Sequence, residues 1–324
     1  MEKIDILMAT YNGEKYIREQ LNSILGQTYS NFNLIISDDS STDDTINILS
    51  EYENKDKRIK VFKQEKNLGV VSNFEFLLNQ VKNEFFMFSD QDDIWEKDKI
   101  EKSINKLKDE DSDLVYTDLK VVDENLNEIS TSYWKLKGFE KKVYKHNNFE
   151  SLYLNNYITG CTVICKSRWI RDILPLPKLS KYVIHDYWLA LIVSIKGKIS
   201  YITDTTINYR QHKENSIGSK RKSDEMKSFD EIRKMFINVK KEHFKAFIDN
   251  NEKFDEKYKK LNEKSLKYFK MLETKKYINF KKWNLFFKLY KYENFIYKIE
   301  YFIILNIPIL GRILFKMKGT KNGK

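Results

Sequence analysis

Short apolar segments alternate with amphipathic segments along the first third of the chain. Apolar side chains at helical spacing follow the first of these segments, and turn residues separate the others. The predicted strands are residues 3–10, 33–37, 59–62 and 84–87. Because parallel strands need crossover connections, this alternation predicts an α/β fold with an open, mostly parallel sheet flanked by helices.

Polar side chains follow three of these predicted strands at the point where each strand ends. Thr10-Tyr11-Asn12 follows the first strand, Asp38-Asp39 the second, and the segment from Asp90 to Asp93 the fourth. The carboxyl ends of parallel strands lie at one edge of a sheet, where ligands bind in open α/β folds. The three polar segments therefore predict one cleft. The chain lacks G-x-G and the P-loop motif, which disfavours a dinucleotide enzyme and a P-loop NTPase.

The segment from Asp90 to Asp93 contains three carboxylates that cannot all ionise cheaply without a cation. Hard oxygen ligands suit Mg²⁺ or Mn²⁺, often together with substrate phosphates. The alternative is an acidic turn that caps a following helix at residues 96–107, with Asp93 as the N-cap. Both interpretations stay open at this point.

Size and charge suggest one large domain with a basic appendage. The chain has 324 residues, of which 41% are hydrophobic. Residues 1–215 contain 30 Lys and Arg against 34 Asp and Glu, whereas residues 216–324 contain 28 against 13. A basic tail suits an anionic membrane or nucleic acid. No nucleic-acid-binding motif accompanies the charge, so we expect no nucleic-acid partner.

Two cysteines, Cys161 and Cys165, do not form a zinc framework, and we expect both to be reduced thiols on a buried strand. This expectation suits a cytosolic protein. We expect no signal peptide, because strand residues begin at Ile4 without a long apolar region. No apolar run reaches the length of about 18 residues that a membrane-spanning helix needs.

Several motifs together resemble the family 2 inverting glycosyltransferases of the GT-A fold. The resemblance covers about residues 3–215, and the later motifs are similar to the bacterial rhamnosyltransferase-like branch. The motifs are residues 8–13 (MATYNG), 27–29 (QTY), 36–43 (ISDDSSTD), 89–93 (SDQDD), 159–162 (TGCT), 185–188 (HDYW) and 209–212 (YRQH).

The resemblance implies transfer of a sugar from a pyrimidine nucleotide sugar to a hydroxyl group, with Mg²⁺ or Mn²⁺ as cofactor. By analogy, Asp92 binds the metal, Asp90 lies near the ribose or the metal, and His212 is a third metal candidate. A structural role for His212 stays open. The other donor-binding candidates are Thr10, Tyr11, Asn12, Asp38, Asp39, Asn67 and Arg210.

The resemblance also implies that Asp186 is the general base, acting from the face opposite the leaving group. The alternative for Asp186 is a helix N-cap, at the start of an apolar helix that runs to Ile195. Candidates for the sugar or acceptor site are Gly160, Cys161, His185 and Trp188, although an aromatic side chain such as Trp188 often belongs to a core.

The C-terminal part is expected to form a charged helical region at residues 216–282 and a basic, aromatic, membrane-associating segment at residues 283–324. The predicted catalytic domain is residues 1–215. The apolar run in the last segment is too short to span a bilayer. We therefore expect peripheral attachment to the cytoplasmic face of the cell membrane. A helical subdomain is the alternative. The predicted interfacial aromatics are Trp283, Phe286, Phe287, Tyr290, Tyr297 and Tyr301.

The leading interpretation is a rhamnosyltransferase that uses dTDP-L-rhamnose and a lipid-linked glycan acceptor in the synthesis of a cell-surface polysaccharide. The same mechanism with UDP-galactose, UDP-glucose or a UDP-N-acetylhexosamine is the nearest alternative. A nucleotidyltransferase should have a glycine-rich basic loop, which residues 9–18 lack. A non-catalytic membrane scaffold is disfavoured because Asp90, Asp92, Asp186 and His212 are all present.

Overall fold

The computed structural model describes residues 2–140, 143–144, 148–177, 182–213, 228–274, 283–291 and 295–319. The chain divides into two compact units. The first contains nine strands and eight helices among its described residues, and the second contains five helices together with Tyr153–Asn155.

The strands of the first unit begin and end close to the apolar runs in the sequence. They are β1 (Ile4–Thr10), β2 (Phe32–Asp38), β3 (Ile59–Lys63), β4 (Phe85–Ser89), β5 (Ile94–Trp95), β6 (Leu114–Asp123), β7 (Glu128–Ser130), β8 (Ile164–Lys166) and β9 (Ile199–Gln211). The helices are α1 (Ile17–Leu25), α2 (Thr45–Lys55), α3 (Val70–Leu78), α4 (Lys99–Asp109), α5 (Tyr133–Lys137), α6 (Phe149–Leu152), α7 (Ile170–Ile173) and α8 (His185–Lys196).

Within the described residues, the strands form one sheet in the order β3-β2-β1-β4-β8-β6-β9-β5, with β7 paired to β6. Strands β1 to β4 run parallel to one another, and β6 runs parallel to β9. Strand β8 is antiparallel to β4 and β6, β7 is antiparallel to β6, and β5 is antiparallel to β9. The predicted α/β fold with a mostly parallel sheet is therefore confirmed. Strand β9 extends to Gln211, well beyond the region around residues 198–202 that the sequence suggests.

The parallel register brings the carboxyl ends of the first strands together. Thr10 lies opposite Asp38 across β1 and β2, and Met8 lies opposite Ser89 across β1 and β4. The buried core beneath this edge includes Ile6, Leu34 and Met87. Apolar burial thus fixes the strands, and their polar ends meet at one edge.

The helices of the second unit are α9 (Phe229–Asp249), α10 (Glu256–Thr274), α11 (Trp283–Leu289), α12 (Phe295–Asn306) and α13 (Pro308–Gly319). Phe244 stacks on Phe269 between α9 and α10, with ring centroids 5.6 Å apart. Arg233 of α9 donates to the carbonyl oxygens of Leu272 at 2.8 Å and Leu305 at 3.0 Å. Carbonyl groups at helix ends lack partners within their own helix, so Arg233 satisfies acceptors at the ends of α10 and α12.

Two of the predicted interfacial aromatics, Phe286 and Tyr290, are instead buried in this unit and stack on one another at 4.3 Å. Trp283 and Tyr301 are partly buried, and Phe287 is exposed. The side chain of Tyr297 lies outside the described residues. In the described part of the chain, no helix combines the length and the apolar character needed to cross a membrane.

Candidate active site

The acidic loop between β4 and β5 contacts the end of β9. Ile94 of β5 pairs with Asn208 of β9, and His212, the residue after β9, lies next to the loop. Asp92 Oδ2 lies 2.8 Å from His212 Nε2. The exposed fractions of these two side chains are 13% and 8%. A carboxylate and an imidazole nitrogen in direct contact form a pair of donors that suits a divalent cation.

Asp90 and Asp93 lie on the other side of this loop, near Cys161. One ligand atom from each of the three residues lies within 4.8 Å of the others. Burial, followed by the charges of Asp92 and Asp186, raises the pKa of Asp90 to about 7. Burial also raises the pKa of Asp93 well above its usual range, and its buried Oδ2 has no hydrogen-bond partner. Buried carboxylates whose negative charges repel one another are typical of a site that binds a cation.

The capping role considered for Asp93 is wrong, because helix α4 begins only at Lys99 and Asp98 precedes it. The other Asp93 oxygen, Oδ1, accepts a hydrogen bond from the backbone N–H of Arg210 at 3.1 Å. Asp93 therefore fixes the acidic loop to β9 from within. Cys161 lies in a 3₁₀ turn at Gly160–Thr162 and only Cys165 lies on a strand, so the expectation of a shared strand is also wrong. Both thiols are free and buried.

Asp186 lies in the first turn of α8, whose N-cap is Ile184 rather than Asp186. Its Oδ2 accepts a hydrogen bond from Gly160 N at 2.9 Å, and its Oδ1 accepts one from Tyr187 N. Burial raises the pKa of Asp186 to about 6, although these two backbone hydrogen bonds act in the opposite direction. A pKa in this range suits a general base near neutral pH.

Gly160 is needed for a close approach to this carboxylate. A Cβ at this position would lie 3.1 Å from both the Asp186 Cβ and the His185 Nε2. The side chain of His185 stacks on Phe74, with ring centroids 3.7 Å apart, and meets Phe88 edge-on. Burial lowers the pKa of His185 to about 3, so this imidazole is neutral and helps to wall the site.

Trp188 is fully buried, and its indole N–H donates to the Ile173 carbonyl at 2.9 Å. Trp188 is therefore a core residue, which is the alternative that the sequence left open, and its side chain is not accessible to an acceptor. We therefore assign no acceptor contact to Trp188.

The predicted base-binding carboxylates are held by local hydrogen bonds. Asp38 accepts hydrogen bonds from Thr10 Oγ1 at 3.0 Å and from the Ser41 backbone N–H and hydroxyl at 2.9 and 2.6 Å. Asp39 accepts one backbone N–H on each oxygen, from residues 68 and 69 at 2.7 and 2.9 Å. Asp39 thus keeps one lone pair on each oxygen, whereas Oδ2 of Asp38 already accepts two donors.

The loop after β1 is fixed by Gln91, which the sequence analysis did not single out. Its side-chain amide accepts from Tyr11 N at 2.9 Å and donates to Tyr11 O at 3.0 Å. A Cβ on Gly13 would lie only 2.4 Å from Gln91 Oε1. The Tyr11 side chain is 46% exposed and remains available to a ligand.

Asn12 and Asn67 hold the neighbouring loops in shape. Asn12 has a φ of +47°, and its side-chain oxygen accepts from Thr42 N at 2.9 Å. Asn67 Oδ1 accepts from Gly69 N at 3.1 Å. Both residues border the same edge of the sheet as Asp38 and Asp39.

Arg210 differs most from its predicted role as a ligand of the donor. Its guanidinium group donates to the Asp92 carbonyl at 2.9 Å, to the Glu124 carbonyl at 2.9 Å and to the Glu19 carboxylate. Only 3% of the side chain is exposed. Direct contact with a diphosphate would require the guanidinium to leave these partners. Glu19 and Glu124 carry no local sequence signal, because they lie far from Arg210 along the chain.

Comparisons with known proteins identify the family and the fold of the chain. Residues 5–174 match the family described as Glycosyl transferase family 2. The chain is 31% identical over 231 residues to the dTDP-rhamnosyl transferase RfbG of Shigella flexneri, covering 65% of this chain and 74% of that protein. It is 28% identical over 199 residues to an Escherichia coli protein, the UDP-Glc:alpha-D-GlcNAc-diphosphoundecaprenol beta-1,3-glucosyltransferase WfgD, covering 61% and 72% of the two chains.

Among solved structures, Staphylococcus aureus TarS 1–349 in complex with UDP-GlcNAc superposes with a TM-score of 0.57. The two are 20% identical, and the superposition covers 90% of this chain and 80% of that one. This likeness concerns the fold and confirms the predicted GT-A-type architecture. Since the family match spans more than half of the sequence, the chain belongs to glycosyl transferase family 2.

Proposed function

We propose that this protein is an inverting, metal-dependent glycosyltransferase that moves a sugar from a pyrimidine nucleotide sugar to a hydroxyl group of a growing glycan. The observation that carries the proposal is the placement of Asp186. Its carboxylate has a raised pKa and lies close enough to the acidic loop for its charge to raise the pKa of Asp90. A base and a candidate phosphate-binding site are thus neighbours, as sugar transfer requires.

In the proposed reaction, Asp186 removes the proton from the acceptor hydroxyl group. The acceptor oxygen then forms a bond to the anomeric carbon while the bond between that carbon and the diphosphate oxygen breaks. Attack from the face opposite the leaving group inverts the anomeric configuration. With a pKa of about 6, Asp186 is mostly ionised at neutral pH and is ready to accept the proton.

Asp92 and His212 would hold the metal, with Asp90 beside them. When bound, Mg²⁺ or Mn²⁺ supplies positive charge to the departing diphosphate. The contact of 2.8 Å between Asp92 and His212 supports this assignment, since the two groups already converge. Asp93 lies deeper and shapes the loop.

Asp39 is the better candidate to recognise the base of the donor. A carboxylate oxygen with a remaining lone pair accepts the N3–H of uracil or thymine, and Asp39 has one backbone donor on each oxygen. A guanine presents a different pattern of donors and acceptors, so binding it would leave a buried polar group poorly matched. We therefore propose a UDP or dTDP sugar.

Within this class, dTDP-L-rhamnose is the donor that we favour, with UDP-glucose, UDP-galactose and UDP-N-acetylhexosamines as the alternatives. The RfbG relative is named for a dTDP-rhamnosyl donor and the WfgD relative for UDP-glucose and a diphosphoundecaprenol-linked acceptor. By the same analogy, the proposed acceptor is a lipid-linked oligosaccharide or polysaccharide precursor.

Peripheral attachment to the cytoplasmic face of the membrane would bring the enzyme to such an acceptor. The second unit exposes a set of large apolar side chains on α11 to α13, and the basic composition of residues 216–324 favours anionic lipid. This exposed apolar set consists of Phe287, Phe295, Ile299, Leu310, Ile313 and Phe315. It shares Phe287 with the predicted aromatic set, whereas Phe286 and Tyr290 of that set are buried.

A donor panel tests the function directly. Purified protein is incubated with Mg²⁺ or Mn²⁺, a lipid-linked acceptor extract and dTDP-L-rhamnose, UDP-glucose, UDP-galactose, UDP-N-acetylglucosamine or GDP-mannose. We expect transfer from one pyrimidine nucleotide sugar, loss of transfer in EDTA, and an anomeric configuration opposite to that of the donor by NMR. Transfer from GDP-mannose alone would overturn the base assignment, and retention of configuration would overturn the base role of Asp186.

A further inference from the structure

We infer that Arg210 is a positioning residue that holds Asp92 and His212 in the geometry needed to bind the metal, and that it does not bind the donor diphosphate. This inference rests on the proposed metal-dependent sugar transfer. It assigns a role to a buried cation that otherwise has no part in the proposed reaction.

The side chain of Arg210 connects the acidic loop to two other segments of the chain, at Glu19 and Glu124. Its Nε donates to the Asp92 carbonyl at 2.9 Å, and its Nη1 donates to the Glu124 carbonyl at 2.9 Å. Its Nη2 donates to the carboxylate of Glu19 on α1. The guanidinium group therefore fixes the main chain of Asp92, from which the carboxylate reaches His212.

The main chain of Arg210 makes a further connection to the same loop. Its N–H donates to Asp93 Oδ1 at 3.1 Å, and its carbonyl side continues to His212 only two residues later. Both halves of the Asp92–His212 pair are thus tied to one residue. A shift of Arg210 would move the two groups relative to each other.

Tyr16 completes this support, since its ring contacts both Arg210 and His212. The guanidinium carbon lies 4.5 Å from the ring centroid of Tyr16, and the imidazole centroid lies 4.8 Å from it. Cation–π contact favours one orientation of the guanidinium plane. The ring therefore transmits the position of Arg210 to the imidazole as well as to the loop.

The fork of the guanidinium group is essential to this role, because three nitrogens serve three acceptors in different directions. A lysine keeps the charge but has a single nitrogen on a flexible stem. Arg210→Lys should therefore preserve the charge and lose the geometry. Glu19→Gln weakens the arrangement from outside, because the Glu19 side chain is 52% exposed and accepts from the Nη2 end of the guanidinium group.

Arg58 offers a matched control in the same unit. Its guanidinium carbon also lies 4.5 Å from a ring centroid, that of Phe32, and it also pairs with a carboxylate, that of Asp56. Arg58→Lys removes a comparable arrangement at the opposite end of the strands. Any loss that follows only from weaker folding should appear in both arginine variants.

The experiment measures Mn²⁺ affinity by calorimetry, UDP affinity in EDTA, and the melting temperature of the full chain. We expect Arg210→Lys and Glu19→Gln to weaken Mn²⁺ binding by roughly 10-fold or more, which is the range for residues that orient metal ligands. UDP affinity in EDTA should be unchanged, and Arg58→Lys should keep wild-type Mn²⁺ affinity whatever its melting temperature.

Three results would overturn the inference. Loss of UDP affinity in EDTA in Arg210→Lys would mean direct contact with the diphosphate. Wild-type Mn²⁺ affinity in both Arg210→Lys and Glu19→Gln would remove the positioning role while leaving the proposed function intact. Absence of Mn²⁺ binding by the wild-type protein, with or without UDP, would instead refute the metal dependence of the proposed function and this inference with it.

Discussion

The carboxylate of Asp186 and the backbone N–H of Gly160 are joined by a hydrogen bond of 2.9 Å. This bond connects the first turn of α8 to the 3₁₀ turn at Gly160–Thr162. The remaining acceptor capacity of the carboxylate is therefore directed by backbone rather than by a flexible side chain.

Asp186→Asn should lower kcat by roughly 10²–10⁴-fold, because the amide cannot take the proton of the acceptor. Nucleotide affinity should stay near the wild-type value. Asp172→Asn is the control, since Asp172 also lies in the first turn of a helix. Turnover of Asp186→Asn within about threefold of wild type would reduce Asp186 to a structural residue.

The same substitution should change how stability depends on pH. Burial raises the pKa of Asp186 to about 6 in the folded state. The protonated carboxyl group therefore contributes to the free energy of unfolding at low pH, and this contribution is lost as the pH rises through this value. The free energy of unfolding of Asp186→Asn relative to wild type should therefore increase between pH 4 and pH 6, by up to about 3 kcal/mol. Denaturant titrations in EDTA at several pH values measure this difference. A difference that is constant with pH would contradict the raised pKa.

Gly160→Ala should reduce turnover more than stability. The new Cβ would lie 3.1 Å from the Asp186 Cβ, so the carboxylate must move by a few tenths of an ångström. We expect kcat to fall about tenfold, because displacement of a catalytic group by 1 Å costs about 100-fold. Gly26→Ala creates an equally close contact of 3.1 Å with a backbone oxygen and serves as the control. Equal activity losses in both variants would point to a general effect on folding.

Asp92→Ala should abolish metal-dependent binding of the donor without unfolding the protein. The substitution removes the partner of His212 and relieves one of the charges that raise the pKa of Asp90. Calorimetry with UDP in Mg²⁺ and in EDTA distinguishes the two contributions to affinity. If wild-type protein binds UDP equally well under both conditions, the bridging role of the metal is refuted.

Replacing Phe295 and Ile299 by Glu should release the protein from anionic vesicles. These side chains are 74% and 43% exposed, so the change should leave the melting temperature nearly unaltered. Insertion of each apolar side chain into the lipid should contribute about 1.5–3 kcal/mol to binding, so losing both should reduce vesicle partitioning at least tenfold. Ile129→Glu, at a position that is 55% exposed in the first unit, is the control in the same flotation assay. Wild-type protein that stays in solution at low salt would refute membrane attachment.

This substitution is preferable to removal of the segment after Lys282. Phe286, Tyr290 and Leu305 are buried, so truncation would remove core side chains together with exposed ones. Unfolding of the truncated protein would then say nothing about lipid.

The sequence identifies the strands and their polar ends well because both depend on local patterns. Thr10 and Asp38 follow apolar runs, and the parallel register places them opposite one another, as expected. The antiparallel insertion of β8 could not be predicted, since three residues carry too little pattern. The contacts of Arg210 could not be predicted from local patterns, because its partner Glu19 is 191 positions away.

Burial in the C-terminal helices was also difficult to read. Phe286 and Phe287 are adjacent and chemically identical, yet one is buried and the other is 47% exposed. A helix of seven residues such as α11 contains too few turns to reveal which face packs. Both rings contact Phe302, whereas Phe286 also stacks on Tyr290.

The two buried thiols make the unmodified protein its own reporter of local opening. Cys161 lies beside Asp93 and Cys165 lies on β8, and burial raises the pKa of both thiols well above the usual range. Alkylating reagents react with the exposed thiolate, so each position is modified only while its surroundings are open. Mass spectrometry of timed alkylation would give separate opening free energies for the turn at Gly160–Thr162 and for the central sheet. Because the chain contains just these two cysteines, donor binding can be followed as slower modification of one position against the other, without introducing a label.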